Sequence, residues 1–211
     1  MTRRALPLLL LATPAAAQDT RNEIWVAGQA SASIAGASVS IDSTARFDED
    51  GLYQWTLGGF AGAQVDGVDL AIGYQHGTDY ARGRISRTEE RLRQQASFAI
   101  AGPLTARIRF EQRFRSDGND TGFRLRGRIQ LGLPLGPVRL LGWHESFVEL
   151  NDTDWGQDAG YRRMRNFAGF QVPLIPAVKL QAGYLNQYDF GRNGGRDEMA
   201  NVASFSLNAA F

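Results

Sequence analysis

Alternation with a period of two, held over unusually long stretches, limits what this chain can fold into more than any other feature. Leu104, Ala106, Ile108 and Phe110 alternate with Thr105, Arg107, Arg109 and Glu111. Phe123, Leu125, Gly127, Ile129 and Leu131 alternate with Arg124, Arg126, Arg128 and Gln130. Near the end, Ala203, Phe205, Leu207, Ala209 and Phe211 alternate with Ser204, Ser206, Asn208 and Ala210. Successive side chains of a strand point to opposite faces, so each segment has one apolar and one polar wall. Ten such segments can be drawn: Ala37–Phe47, Leu52–Ala63, Val68–His76, Glu89–Ala101, Leu104–Arg115, Phe123–Leu133, Val138–Leu150, Tyr161–Val172, Val178–Tyr188 and Met199–Phe211. Most reach the roughly 9–11 residues that a tilted strand needs to cross a bilayer. Strands of soluble sheets usually stop at about 5–6.

The connections alternate as well. Gln64–Gly67, Gly102-Pro103, Pro134–Pro137 and Pro173–Ala177 are short, whereas Asp48–Gly51, Gly77–Thr88, Ser116–Gly122, Asn151–Gly160 and Asp189–Glu198 are mostly longer and polar. Short periplasmic turns opposite longer outer loops are the pattern of outer-membrane barrels. The apolar strand ending at Phe211 resembles the C-terminal signal read by the outer-membrane assembly machinery. The expected fold is therefore all-β, an antiparallel transmembrane β-barrel of the bacterial outer membrane, spanning residues 37–211. Outer-membrane lipid, including lipopolysaccharide, is the expected surrounding partner.

The start of the chain fits that destination. Arg3 and Arg4, the apolar run Ala5–Pro14 and the small residues Ala15–Ala17 have the layout of a secretory signal over residues 1–17. The run is too short for a spanning helix of about 20 residues. Losing Arg3 and Arg4 takes the formal charge from +1 to −1, which gives no electrostatic argument for nucleic acid. The absence of cysteine removes disulfides, thiolate metal sites and cysteine nucleophiles. Residues 18–36 are harder to place. Ile24–Ile34 looks like a strand, yet counting it gives an odd number, and single-chain bacterial barrels have even numbers. Ten strands are expected, with this segment at the periplasmic mouth or in the lumen; twelve would require a strand not yet recognised.

The polar wall is rich in arginine: Arg91, Arg93, Arg107, Arg109, Arg113, Arg115, Arg124, Arg126, Arg128, Arg139, Arg163 and Arg165 fall on or near the inner phase. Such side chains are rarely buried unless paired, so they need water or carboxylates. Glu111, Glu145 and Glu149 share that phase. Two readings follow, a narrow anion-selective pore or a salt-bridge network filling a lumen just wide enough for side chains.

The order of several short motifs resembles the uncharacterised barrel family called domain of unknown function 2490. They are Arg46-Phe47, Glu90-Arg91-Leu92-Arg93-Gln94-Gln95, Leu104 to Glu111-Gln112-Arg113-Phe114 and the Arg124–Arg128 strand. Trp143-His144-Glu145-Ser146-Phe147, Asn151-Asp152, Gly183-Tyr184-Leu185-Asn186-Gln187-Tyr188 and the terminal strand continue the series. The resemblance implies a barrel and its location, and no chemistry.

Two residues invite a chemical reading. His144 and Ser146 are two apart, so both face one wall. Some outer-membrane lipid A deacylases carry such a pair facing lipid, together with an acid. Here Glu145 and Glu149 lie in the opposite phase, and an acid from a neighbouring strand is not identifiable. A lipid A or phospholipid acyl hydrolase is thus the alternative to a pore or structural element, and an interfacial histidine is the plainer expectation. The acidic groups Asp48-Glu49-Asp50, Asp117 with Asp120, and Asp152, Asp154 and Asp158 lack the spacing of a calcium loop, so no metal or cofactor is expected. Trp25, Trp55, Trp143 and Trp155, with several tyrosines, are expected as a set of interfacial anchors, with lumen packing the alternative for some of them, Trp143 in particular.

Overall fold

The computed structural model describes residues 18–192 and 194–211; the expected secretory segment, 1–17, lies outside them. Eleven strands follow one another: β1 Gln18–Ile34, β2 Ala37–Asp48, β3 Gly51–Val65, β4 Val68–Ala81, β5 Arg84–Ala101, β6 Leu104–Arg115, β7 Thr121–Leu135, β8 Val138–Glu149, β9 Gly160–Ile175, β10 Val178–Asp189 and β11 Asp197–Ala210. Each pairs antiparallel with the next, and β1 closes against β11 to complete a barrel. No helix among the described residues is long and apolar enough to cross a membrane, which says nothing of strands.

The strand count corrects the expected ten. The segment 24–34, expected at the mouth or in the lumen, is part of β1 in the wall itself, with Ile24–Ile34 laddered to β2. The odd number has a geometric consequence. In an antiparallel meander the first and last of an odd set run the same way, so the closing ladder is parallel, from Gln18↔Asp197 to Ser31↔Ala210. Parallel pairing is slightly weaker per residue, and here its length compensates.

The turns explain a second difference. Gly77–Thr88 is expected as a long connection, but β4 and β5 run through it and meet at Arg82-Gly83, both with positive φ. Ala35-Gly36 and Asp66-Gly67 have the same two-residue geometry. Two consecutive positive-φ residues twist with the flanking strands, which is why such turns close hairpins. The remaining strands lie within a few residues of their expected bounds.

The outer wall is apolar and open: Ile72 is 67% exposed and Ile129 51%, with Ile108, Leu133, Phe205 and Leu207 also exposed on the same face. A continuous apolar band on a closed barrel is the surface that lipid solvates. Inside, large rings lie flat on glycines. Phe167 stacks on Trp143 with centroids 5.3 Å apart, and a Cβ on Gly169 would come within 2.6 Å of the Phe167 Cζ. Gly169→Val is therefore expected to cost about 1–3 kcal/mol through overpacking. The readout is the urea midpoint of the refolded, heat-modifiable form; an unchanged midpoint would refute this packing role.

Candidate functional site

Charged side chains of β5 to β9 meet on the inner wall. Glu111, fully buried, accepts hydrogen bonds from Arg124 and, at 2.7 Å, from Arg126. Glu145 accepts from Arg126 at 2.9 Å and from Arg107. Arg113 reaches Glu149 at 3.4 Å, and Arg109 lies 3.9 Å from Glu111. Arg163 donates to Asp189 at 2.6 Å, and Arg165 to the amide oxygen of Gln187 at 2.8 Å. Arg128 has only an amide partner, Gln130. Arg115 sits at the loop rim on Asp117, and Arg139 is exposed at the turn rim.

Carboxylates from other strands supply much of the pairing. Glu89 bridges Arg91 and Arg113 at 2.6 and 2.7 Å, and Asp42 holds Arg93 at 2.9 Å. Rings pack among these charges inside the barrel. Phe147, 2% exposed, lies under Arg126 and Arg165 at 4.6 and 4.8 Å, and Arg46 covers Trp25 at 4.1 Å. Stacked guanidinium and ring planes satisfy charge and exclude space together. Of the expected anchors, Trp25 is instead buried inside and Trp155 is buried at the loop end beneath Arg115 at 4.7 Å, while Trp143 takes the alternative of lumen packing, beneath Arg128 at 4.3 Å.

The outer wall carries a different set. His144 and Ser146 project from β8, and the β8–β9 register sets Asn166 opposite His144. His144 Nε2 lies 2.9 Å from Ser146 Oγ, and Nδ1 lies 2.8 Å from Asn166 Oδ1. An amide oxygen can only accept, so Nδ1 carries the proton and Nε2 is free to accept from serine. Tyr161 Oη is 3.0 Å from the same Ser146 oxygen. Gly127 of β7 faces Ser146 across the ladder, and a Cβ there would meet nothing within 4 Å. A hydroxyl, a base and an orienting group thus stand together on the outer wall, beside a position with no side chain.

Sequence reasoning finds His144 and Ser146 but not Asn166 or Tyr161. Their register follows a ten-residue loop and a bulge between Phe147 and Val148, neither of which can be counted from the sequence. It also passes over a second set on β4 and β5. His76 Nδ1 lies 2.6 Å from Glu90, and Nε2 3.0 Å from Thr78 Oγ1. There the hydroxyl residue is only 4% exposed, so a substrate cannot reach it.

Among the described residues no group of His, Cys, Asp and Glu is placed to hold a metal ion. The acidic loop residues latch loops instead. Asp154 accepts the backbone N–H groups of Asn119 at 2.8 Å and Asp120 at 3.2 Å, and Asp120 accepts that of Asp154 at 2.8 Å. Those N–H bonds hold the Asp154 carboxyl below its ordinary value of 3.8. A depressed folded value means the latch is fully present above pH 3.8 and is lost as pH falls through the lower folded value. Loop 150–159 is therefore expected to resist acid proteases at pH 4 and be cut more readily as pH drops further. Asp154→Asn should show no such pH dependence.

Comparison with known proteins places this architecture. Over 130 residues the chain is 40% identical to an uncharacterized protein of Methylorubrum extorquens, covering 58% of this chain and 57% of that protein. The chain spans little more than half the length of that relative. The family model described as "Protein of unknown function (DUF2490)" matches residues 22–199, from within β1 to the start of β11, and so this barrel belongs to the DUF2490 family.

Proposed function

We propose that this protein is an outer-membrane barrel with a filled lumen, and that it hydrolyses acyl esters of lipids at its outer wall. The observation that carries the reading is the unbroken chain from Ser146 Oγ through His144 to Asn166, at 2.9 and 2.8 Å, on a lipid-type surface. Ser146 attacks the ester carbonyl while His144 Nε2 takes its proton. The imidazolium returns that proton to the leaving alcohol, and water then clears the acyl-enzyme by the same route. Asn166 fixes the tautomer and ring plane. An amide does this without placing a second charge in hydrocarbon, where an isolated carboxylate is costly. Tyr161 stands where its hydroxyl can donate to the oxyanion, and the missing side chain at Gly127, opposite Ser146, leaves the approach of an acyl carbonyl open.

The test is mass spectrometry of lipid A and phospholipids from membranes incubated with wild type or Ser146→Ala. Deacylated products with wild type alone are expected, and identical profiles would remove the reading. The pore reading has less support, because carboxylates already engage most of the inner guanidiniums, Arg107, Arg126 and Arg163 among them. In planar bilayers the refolded protein is expected to give no anion-selective current; a steady one would restore the pore.

A further inference from the structure

Three pairs of arginines face one another across neighbouring strands among the described residues: Arg91 and Arg113, Arg109 and Arg126, and Arg107 and Arg128. Like charges set directly opposite destabilise a ladder. In the first pair Glu89 bridges both members at 2.6 and 2.7 Å. In the second Glu111 lies 3.9 Å from Arg109 and 2.7 Å from Arg126. The third has no such bridge. Arg107 is held by Glu145, whereas Arg128, although opposite Glu145 in the β7–β8 ladder, makes no ion pair within 4 Å among the described residues and donates to Gln130 instead. That unbridged pair lines both turn-side cavities, of about 410 and 430 Å³.

The larger cavity is strongly cationic. Eight arginines and three carboxylates, Asp42, Asp69 and Glu145, line it. Asp42 and Glu145 are engaged with Arg93 and with Arg107 and Arg126. Asp69 accepts from Gln64 at 3.2 Å. The buried groups there without a protein partner are donors: the Nε atoms of Arg46, Arg93, Arg126 and Arg128, and the Trp143 indole N–H. A surplus of positive donors in a walled space is satisfied by a group that is negative and only accepts.

We propose that the turn-side lumen binds a small phosphate-type oxyanion between Arg107 and Arg128, with Trp143 as a further donor. Each guanidinium offers a planar fork that matches phosphate oxygens, and the anion does for this pair what Glu89 does for Arg91 and Arg113. The ligand is a free solute reaching the turn end, since the barrel wall separates the cavity from lipid headgroups. This site is independent of the ester hydrolysis proposed for the outer wall.

The experiment is calorimetric titration of the full refolded barrel in detergent with inorganic phosphate, at constant ionic strength maintained with chloride. Wild type is expected to bind phosphate saturably. Arg128→Gln is expected to weaken binding roughly 10- to 100-fold, the effect of losing one charged hydrogen-bonding group. Trp143→Phe, which removes a donor without changing charge, is expected to weaken it about 10-fold. Arg115→Gln at the loop rim should bind as wild type. Absence of saturable binding, or equal affinity in wild type and both cavity variants, overturns the proposal. Should Arg128→Gln fail to refold, Trp143→Phe decides alone.

Discussion

Ser146→Ala is expected to abolish ester turnover by the reconstituted barrel, with kcat falling by roughly 10³- to 10⁶-fold, the range for loss of a serine nucleophile. The mechanism predicts a graded series. His144→Ala should cost nearly as much, because without a base the serine proton has no acceptor and the two residues act as one unit. Asn166→Ala should cost about 10-fold, since it removes one neutral hydrogen bond of roughly 1–1.5 kcal/mol that orients the ring. A fluorophosphonate probe reads the same series without a known substrate: labelling of wild type at Ser146, faint labelling of Asn166→Ala and none of His144→Ala. Equal labelling in all three would mean that the hydrogen-bonded chain has no catalytic consequence. Because all three side chains face outward, the variants should refold as wild type does, which separates lost activity from lost structure.

The largest loss of stability is expected from Glu111→Gln. Glu111 is wholly buried, and Arg124 and Arg126, its partners, are 7% and 11% exposed at the side chain. Neutralising the carboxylate leaves two guanidiniums with one compensating charge fewer in a walled interior. Removing one member of a buried ion pair typically costs about 3–5 kcal/mol, mostly as the penalty of the charge left behind. The urea midpoint of the barrel in detergent should fall accordingly. Asp19→Asn is the control, since Asp19 and its partner Arg196 are 58% and 63% exposed at the side chain, where such pairs contribute less than about 1 kcal/mol. Similar midpoints for the two variants would show the network to be slack, and with it the basis for a blocked lumen would go.

Legibility differed between the two walls for a physical reason. Alternation is a local property, so the two phases of β6, β7 and β8 could be read residue by residue, and the arginines fell inside as the phase required. Partnership is not local. Nothing near Arg93 names Asp42, and nothing near His144 names Asn166; both meetings depend on hairpin register, which loops and bulges shift. The stretch 77–88 reads as a long polar connection because strands rising beyond the apolar band no longer alternate, and the two-residue turn at Arg82-Gly83 within it gives no separate signal.

The sequence by itself determined the class of object: long two-faced strands, an oily face too continuous for water and an arginine-rich face that must be enclosed. Tertiary structure decided closure and consequence. The segment 24–34 became wall because β2 and β11 each offered it an edge, and the state of the inner charges depended on where Phe147, Trp25 and distant carboxylates met the guanidiniums. Such outcomes rest on contacts between residues far apart in the chain, set by barrel geometry, and a one-dimensional pattern carries no record of them.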